Sequence, residues 1–217
     1  MSIHAIPAAS ITATHGWWRA RYETAAFVAP VVIFFLMATQ RGISFVQTGN
    51  PIVLVNGAAL VLIMMAFLVR GEAKTVDRSF GAWLAAVLGD FAPFALDLRH
   101  DSYWAGPVPF IMQCAALGLS CWAVKNIWSS IGVVPANRGI KVSGPYRFIR
   151  HPMYTAVVLS EVAMAMVFLS PINVVMLFVV TAFKAKMIAN AERLLRQDPE
   201  YQAYAARVRW RAIPGII

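Results

Sequence analysis

Charge is scarce in this chain, and cysteine and histidine are scarcer still. Only 13% of the 217 residues are Asp, Glu, Lys or Arg, 59% are hydrophobic, and the mean hydropathy is +0.64. A soluble domain carries about a quarter charged residues, so an ordinary soluble fold is excluded. The two cysteines, Cys114 and Cys121, stand seven apart on one face of an apolar stretch. One helix cannot bring such a pair within the roughly 7 Å between Cα atoms that a disulfide needs, so both read as packing residues. His4, His15 and His100 are scattered without ligand spacing, and no metal site is expected. Internal repeats and low-complexity linkers are lacking, which makes residues 1–217 one membrane domain. Residues 1–22 lack the apolar core of a signal peptide, so the first span is expected to be an uncleaved anchor.

What the chain does have is apolar blocks long enough for a bilayer, which takes about 20 helical residues. They predict spans near 24–40, 51–69, 80–98, 106–124, 153–169 and 172–189, with a tight hairpin at Ser170-Pro171. All are expected to be helical, because a lipid-exposed backbone must satisfy its own hydrogen bonds. The fold class is therefore all-α, a polytopic membrane bundle of five to six transmembrane helices with a C-terminal cytosolic helical segment. With the N-terminus inside and six crossings, every Lys and Arg falls on the inner side except Arg41 and Arg99. That asymmetry is the positive-inside pattern, and it puts both termini in the cytoplasm. It also accounts for the net charge of +9 as a membrane-facing basic side, with no nucleic-acid partner.

Residues 144–154 read Gly-Pro-Tyr-Arg-Phe-Ile-Arg-His-Pro-Met-Tyr, a cluster of cations, phenols and an imidazole where the fifth span begins. Arg147 and Arg150 are three apart, as are His151 and Tyr154, a spacing that a helix brings together. Pro152 suits a first helical turn. The free amides and positive end of that turn favour an anion, such as a ligand carboxylate against His151, Arg150 and Arg147. The polar stretch 125–143 is long for a connector between membrane helices and reads as a cytosolic flap over a ligand pocket. Asp90 and Glu161 lie within spans, where a carboxylate costs several kcal/mol and marks function. Glu161 stands seven after Tyr154, on the same face, and both acids are catalytic candidates. Asn56 and Gln113 read as interhelical hydrogen-bond glue. Further on, Asp198-Pro199-Glu200 is a helix start, Tyr201 and Tyr204 share one face of that helix, and Trp210, Ile213 and Pro214 read as a fold-back anchor.

Gly-Pro-Tyr-Arg-x-x-Arg-His-Pro-Met-Tyr, then a Glu-Arg-Leu-Leu segment at 192–195, Tyr201-x-x-Tyr204 and a terminal Ile-Pro-Gly, resembles the isoprenylcysteine carboxyl methyltransferase and phospholipid methyltransferase group. The likeness runs from Lys125 to the end; residues 1–124, four N-terminal spans, share only hydrophobicity with it. The resemblance implies an integral membrane methyltransferase that uses S-adenosyl-L-methionine and a lipophilic acceptor, which arrives from the bilayer. It makes 125–217 the cofactor-binding region, with Tyr146, Arg147, Arg150, His151, Pro152, Tyr154 and Glu192 as candidate cofactor residues. The family carries two glutamates before Leu-Leu, and here the first position is Ala191. A carboxylate acceptor needs no base at neutral pH, whereas an amine or thiol does, with Glu161, Asp90 or His151 as candidates. Two alternatives stand beside this reading. An NADPH-dependent membrane steroid or enone reductase carries a similar segment, but it prefers Asn where Met153 stands and an acid where Val157 stands. A non-catalytic membrane subunit on the same scaffold would explain Ala191.

Overall fold

The computed structural model describes residues 8–71, 73, 75–77, 79–98, 106–128, 130–132 and 134–215, with the backbone alone for 8–27 and for Phe94. Arg99, His4 and His100 lie outside the described residues, as does the side chain of His15. Six apolar helices form the bundle: α1 (Ala8–Thr48), α2 (Ile52–Leu68), α3 (Phe80–Phe91), α4 (Pro107–Ile127), α5 (Pro152–Val167) and α6 (Pro171–Leu195); a polar helix, α7 (Pro199–Arg207), follows. Among the described residues, three segments are long and apolar enough to cross a membrane: Val28–Thr48, Pro107–Ile127 and Pro171–Leu195. The other three apolar helices are shorter. At 1.5 Å per residue, the 17 residues of α2 reach about 25 Å, and the 12 of α3 only about 18 Å. Large apolar side chains stay exposed along these helices, among them Phe35, Phe80, Ile111 and Phe178, as a lipid-facing surface requires. This is an all-α membrane bundle, interrupted by one two-residue antiparallel ladder between β1 (Thr75–Val76) and β2 (Ala136–Asn137).

Element ends follow local chemistry. Ser79 caps α3 by accepting from Ala82 N, Ser170 caps α6 by accepting from Asn173 N, and Asp198 caps α7 by accepting from Glu200 N. Each satisfies an amide that the first turn leaves free. Pro152, Pro171 and Pro199 each take the first helical position, where a missing N–H costs little. Helix α1 packs on α2, α4 on α5 and α3 on α6. At the last contact Gly89 lets the helices close: a Cβ there would stand 2.9 Å from Met187 Sδ.

Three expectations are corrected here. The first span does not stop at residue 40, since α1 runs on to Thr48. Arg41 is therefore no outer loop charge but lies inside the bundle, 1% exposed. The third helix ends at Phe91, followed by a 3₁₀ turn over Ala92–Ala95, so Asp90 sits near the end of a helix rather than mid-span. Cys114 and Cys121 are both exposed, because α4 buries the neighbouring stripe of Pro109, Gln113, Ala116, Ser120 and Ala123.

Candidate active site

One helical stripe after another points into a single cavity of about 250 Å³. Helix α1 contributes Phe34, Met37 and Arg41; α2 contributes Asn56, Leu60 and Ile63; α5 contributes Tyr154, Val157, Ser160 and Glu161; α6 contributes Lys184, Met187, Ala191 and Leu195. These spacings of three, four and seven are those of one helix face. The 128–143 segment closes the cavity, with Ile131, Val134, Ala136 and Ile140 on its wall. It is held down by the β1–β2 ladder, by Asp77 N donating to Pro135 O at 2.9 Å, and by Asn137 Nδ2 donating to Asp198 Oδ2 at 2.8 Å. The flap expected from the sequence is thus a wall of the site.

The motif at 144–151 is shaped by Gly144, whose φ is +60° and whose missing Cβ would stand 2.6 Å from Asn126 Cγ. Only glycine takes that conformation without cost. The 3₁₀ turn Gly144–Arg147 then buries Tyr146 and leaves Arg147 exposed, donating to Gly144 O and resting on Phe148. Arg150 is buried, 6% exposed. The two arginines were expected to cluster; because no α-helix joins them, they diverge, and Arg147 is not on the cavity wall.

Behind Arg150 and His151 stands Glu192. Its Oε1 lies 3.0 Å from His151 Nε2, 2.7 Å from Tyr201 Oη and 3.1 Å from Arg150 Nε, while Oε2 lies 3.2 Å from Arg196 Nε. The Arg150 contact is an ion pair only, since that Nε has no aligned hydrogen-bond partner. Because a carboxylate oxygen must accept, His151 presents Nε2–H and keeps Nδ1 as an acceptor. Burial pushes the imidazole below its usual range, against the raising effect of Glu192, with Arg150 and Arg211 adding to the depression. It is the neutral form that sits here at pH 7. Burial also pushes the Tyr146 and Tyr201 phenols up, Tyr201 with help from Glu192. The Tyr204 phenol is pushed up by burial to about 12, with Arg150 opposing. All three phenols stay neutral; Tyr201 Oη donates a hydrogen bond to Glu192 Oε1 at 2.7 Å, and Tyr204 Oη donates one to Tyr146 O at 2.6 Å.

The backbone of the motif is occupied too. Arg150 N donates to Trp210 O at 2.9 Å and His151 N to Arg211 O at 2.7 Å, and Thr155 Oγ1 donates to Ala212 O at 2.9 Å. The fold-back of the tail is as expected, and it takes the amides of Arg150 and His151, which precede the first turn of α5.

Of the sequence candidates, Tyr146, Arg150, His151, Tyr154, Glu161 and Asp90 reach the cavity wall, whereas Arg147, Pro152 and Glu192 do not. The His151 and Tyr154 rings stack at 5.8 Å and 25°. Lys184 Nζ lies 5.6 Å from the Tyr154 ring centroid and pairs with Asp90 Oδ1. Asn56 Nδ2 and Gln113 Nε2 both donate to Ser160 Oγ, at 2.9 and 2.8 Å, which ties α2 and α4 to α5 as expected of interhelical glue. Lys184 and Arg41 were missed as site residues because each was counted as a flanking charge. The stripe Lys184, Met187, Ala191, Leu195 was the available signal.

Residues 107–197 match the family model described as the isoprenylcysteine carboxyl methyltransferase (ICMT) family. No curated protein matches the chain.

Proposed function

From the match of residues 107–197 to the ICMT family model we propose that the chain is an integral membrane methyltransferase of that family, using S-adenosyl-L-methionine and a lipophilic acceptor. When bound, that cofactor supplies an electrophilic methyl on a sulfonium. The observation that carries the reading is the buried Arg150, on the cavity wall with an Nε that lacks an aligned partner. It fits the carboxylate of the cofactor's methionine end, and a guanidinium is the side chain best shaped for that role. Neutral His151 adds an acceptor for an amino group, and Tyr146, Tyr201 and Tyr204 add aromatic wall. Glu192, already holding four donors or cations, acts as the post behind these groups rather than as their ligand contact. The flap excludes water, which strengthens every charge interaction inside.

The N-terminal helices α1–α3 supply the membrane-level wall, through which an apolar tail enters from lipid. Both termini face the cytoplasm in this reading, on the strength of the Lys and Arg asymmetry. Titrating the purified chain separately with S-adenosylmethionine and NADPH tests it. The expected result is saturable binding of S-adenosylmethionine, weakened more than tenfold, or about 1.4 kcal/mol, by His151→Ala. Binding of NADPH alone would select the reductase, and binding of neither would select a non-catalytic subunit.

A further inference from the structure

Two carboxylates stand on the cavity wall among the described residues, and they are in opposite situations. Asp90 is paired with Lys184. Glu161 is 5% exposed, and its Oε2 has no hydrogen-bond partner. The hydrogen bonds of its neighbours go to other groups. Arg41 gives Nε to Asn56 Oδ1 at 2.7 Å, Nη1 to Gln40 Oε1 at 3.0 Å and Nη2 to Pro93 O at 3.1 Å. Ser160 is taken by Asn56 and Gln113. A buried acceptor left bare costs free energy, and such groups in native proteins have a reason. Here the reason is a donor brought by the ligand.

The chemistry of the walls narrows that donor. Phe34, Met37, Leu60, Ile63 and Met187 make one side of the cavity apolar, suited to an alkyl or prenyl chain. A carboxylate headgroup would set a second anion against the bare Glu161 Oε2. An alcohol would satisfy Glu161 but is too weak an acid to yield a proton to it. An ammonium does both.

We infer that the acceptor subsite takes a lipophilic amine, bound as its ammonium by Glu161 Oε2, and that Glu161 removes the ammonium proton. The N–H bond breaks, its electron pair stays on nitrogen, and the proton passes to Oε2, leaving a neutral amine and a neutral carboxylic acid. Desolvation favours that loss, and the free lone pair is the nucleophile. Only the fate of that lone pair rests on the methyltransferase reading; the binding does not.

The test is equilibrium binding of dodecylamine and of dodecanoate to the full chain in phosphatidylcholine nanodiscs, with S-adenosylmethionine binding measured separately. Dodecylamine is expected to bind at least tenfold more tightly than dodecanoate. Glu161→Gln is expected to remove at least tenfold of the amine affinity while leaving cofactor affinity unchanged, and Glu161→Asp, which keeps the charge, to recover part of it. Dodecanoate binding as tightly as dodecylamine in wild type overturns the inference without any variant, as does a folded Glu161→Gln protein with undiminished amine affinity. A chain that binds dodecylamine through Glu161 but no S-adenosylmethionine upholds this inference and removes the methyltransferase reading. One that binds the cofactor yet prefers dodecanoate does the reverse.

Discussion

Glu192 Oε1 and His151 Nε2 meet at 3.0 Å across 41 positions of sequence, and through that contact the end of α6 fixes the ring that opens α5. The same oxygen also faces Tyr201 and Arg150, so one carboxylate joins three segments and compensates a buried cation.

Glu192→Gln leaves Arg150 buried without its counter-ion. Breaking a buried pair on one side costs about 3–5 kcal/mol, whereas Tyr201→Phe removes a single bond to a charged group, worth about 1.5–3 kcal/mol. Unfolding in detergent is expected to rank Glu192→Gln as the more damaging. Equal losses would mean that Arg150 finds its compensation elsewhere.

His151 gives a pH dependence with a definite sign. Its folded-state pKa is depressed, chiefly by burial, so below about pH 6.5 the unfolded chain binds a proton that the folded chain resists. Stability contributed by neutral His151 is full above that pH and is lost as pH falls. The unfolding midpoint should drop between pH 7 and pH 5, and the drop should shrink in His151→Asn. A midpoint that rises on acidification would show an imidazolium paired with Glu192 instead.

Gly144→Ala forces a side chain into the left-handed region, at about 1–2 kcal/mol, and drives its Cβ against Asn126. Adding Asn126→Ala should relieve the clash but leave the backbone cost. Full recovery in the double variant would show that the turn tolerates alanine.

Asp90→Asn isolates the Lys184 ammonium in the bundle, with an expected loss of about 3–5 kcal/mol. Replacing both partners, as Asp90→Asn with Lys184→Met, removes the stranded charge and should recover most of the loss. Thermal unfolding of the two variants beside wild type decides it; a double variant no more stable than the single one would show that the ammonium serves something other than the pair.

The six apolar helices, the flap and the Tyr154–Glu161 face were legible because each follows from local periodicity or composition. What was not legible depended on partners distant in sequence. A hydropathy window ends a span at Arg41, yet Asn56 and Pro93 O receive that guanidinium inside the bundle. Lys184 looks like a flanking charge until α3 brings Asp90 against it. Arg147 and Arg150 share helical spacing, but Gly144 and Pro145 set a 3₁₀ turn that sends one out and the other in. The main-chain bonds of Arg150 and His151 were not legible because their acceptors, Trp210 O and Arg211 O, lie about 60 residues on. The donors around Glu192 were not legible, since sequence shows its charge and not its neighbours.

Those last acceptors set an order of events during synthesis. Residues 208–212 leave the ribosome only after all six apolar helices have passed into the membrane, so the bundle must wait, inserted but with the mouth of α5 unfastened, until this short stretch of main chain arrives. A chain stopped before residue 208 would carry every residue of the motif, yet would lack the strap that sets Arg150 and His151 in place.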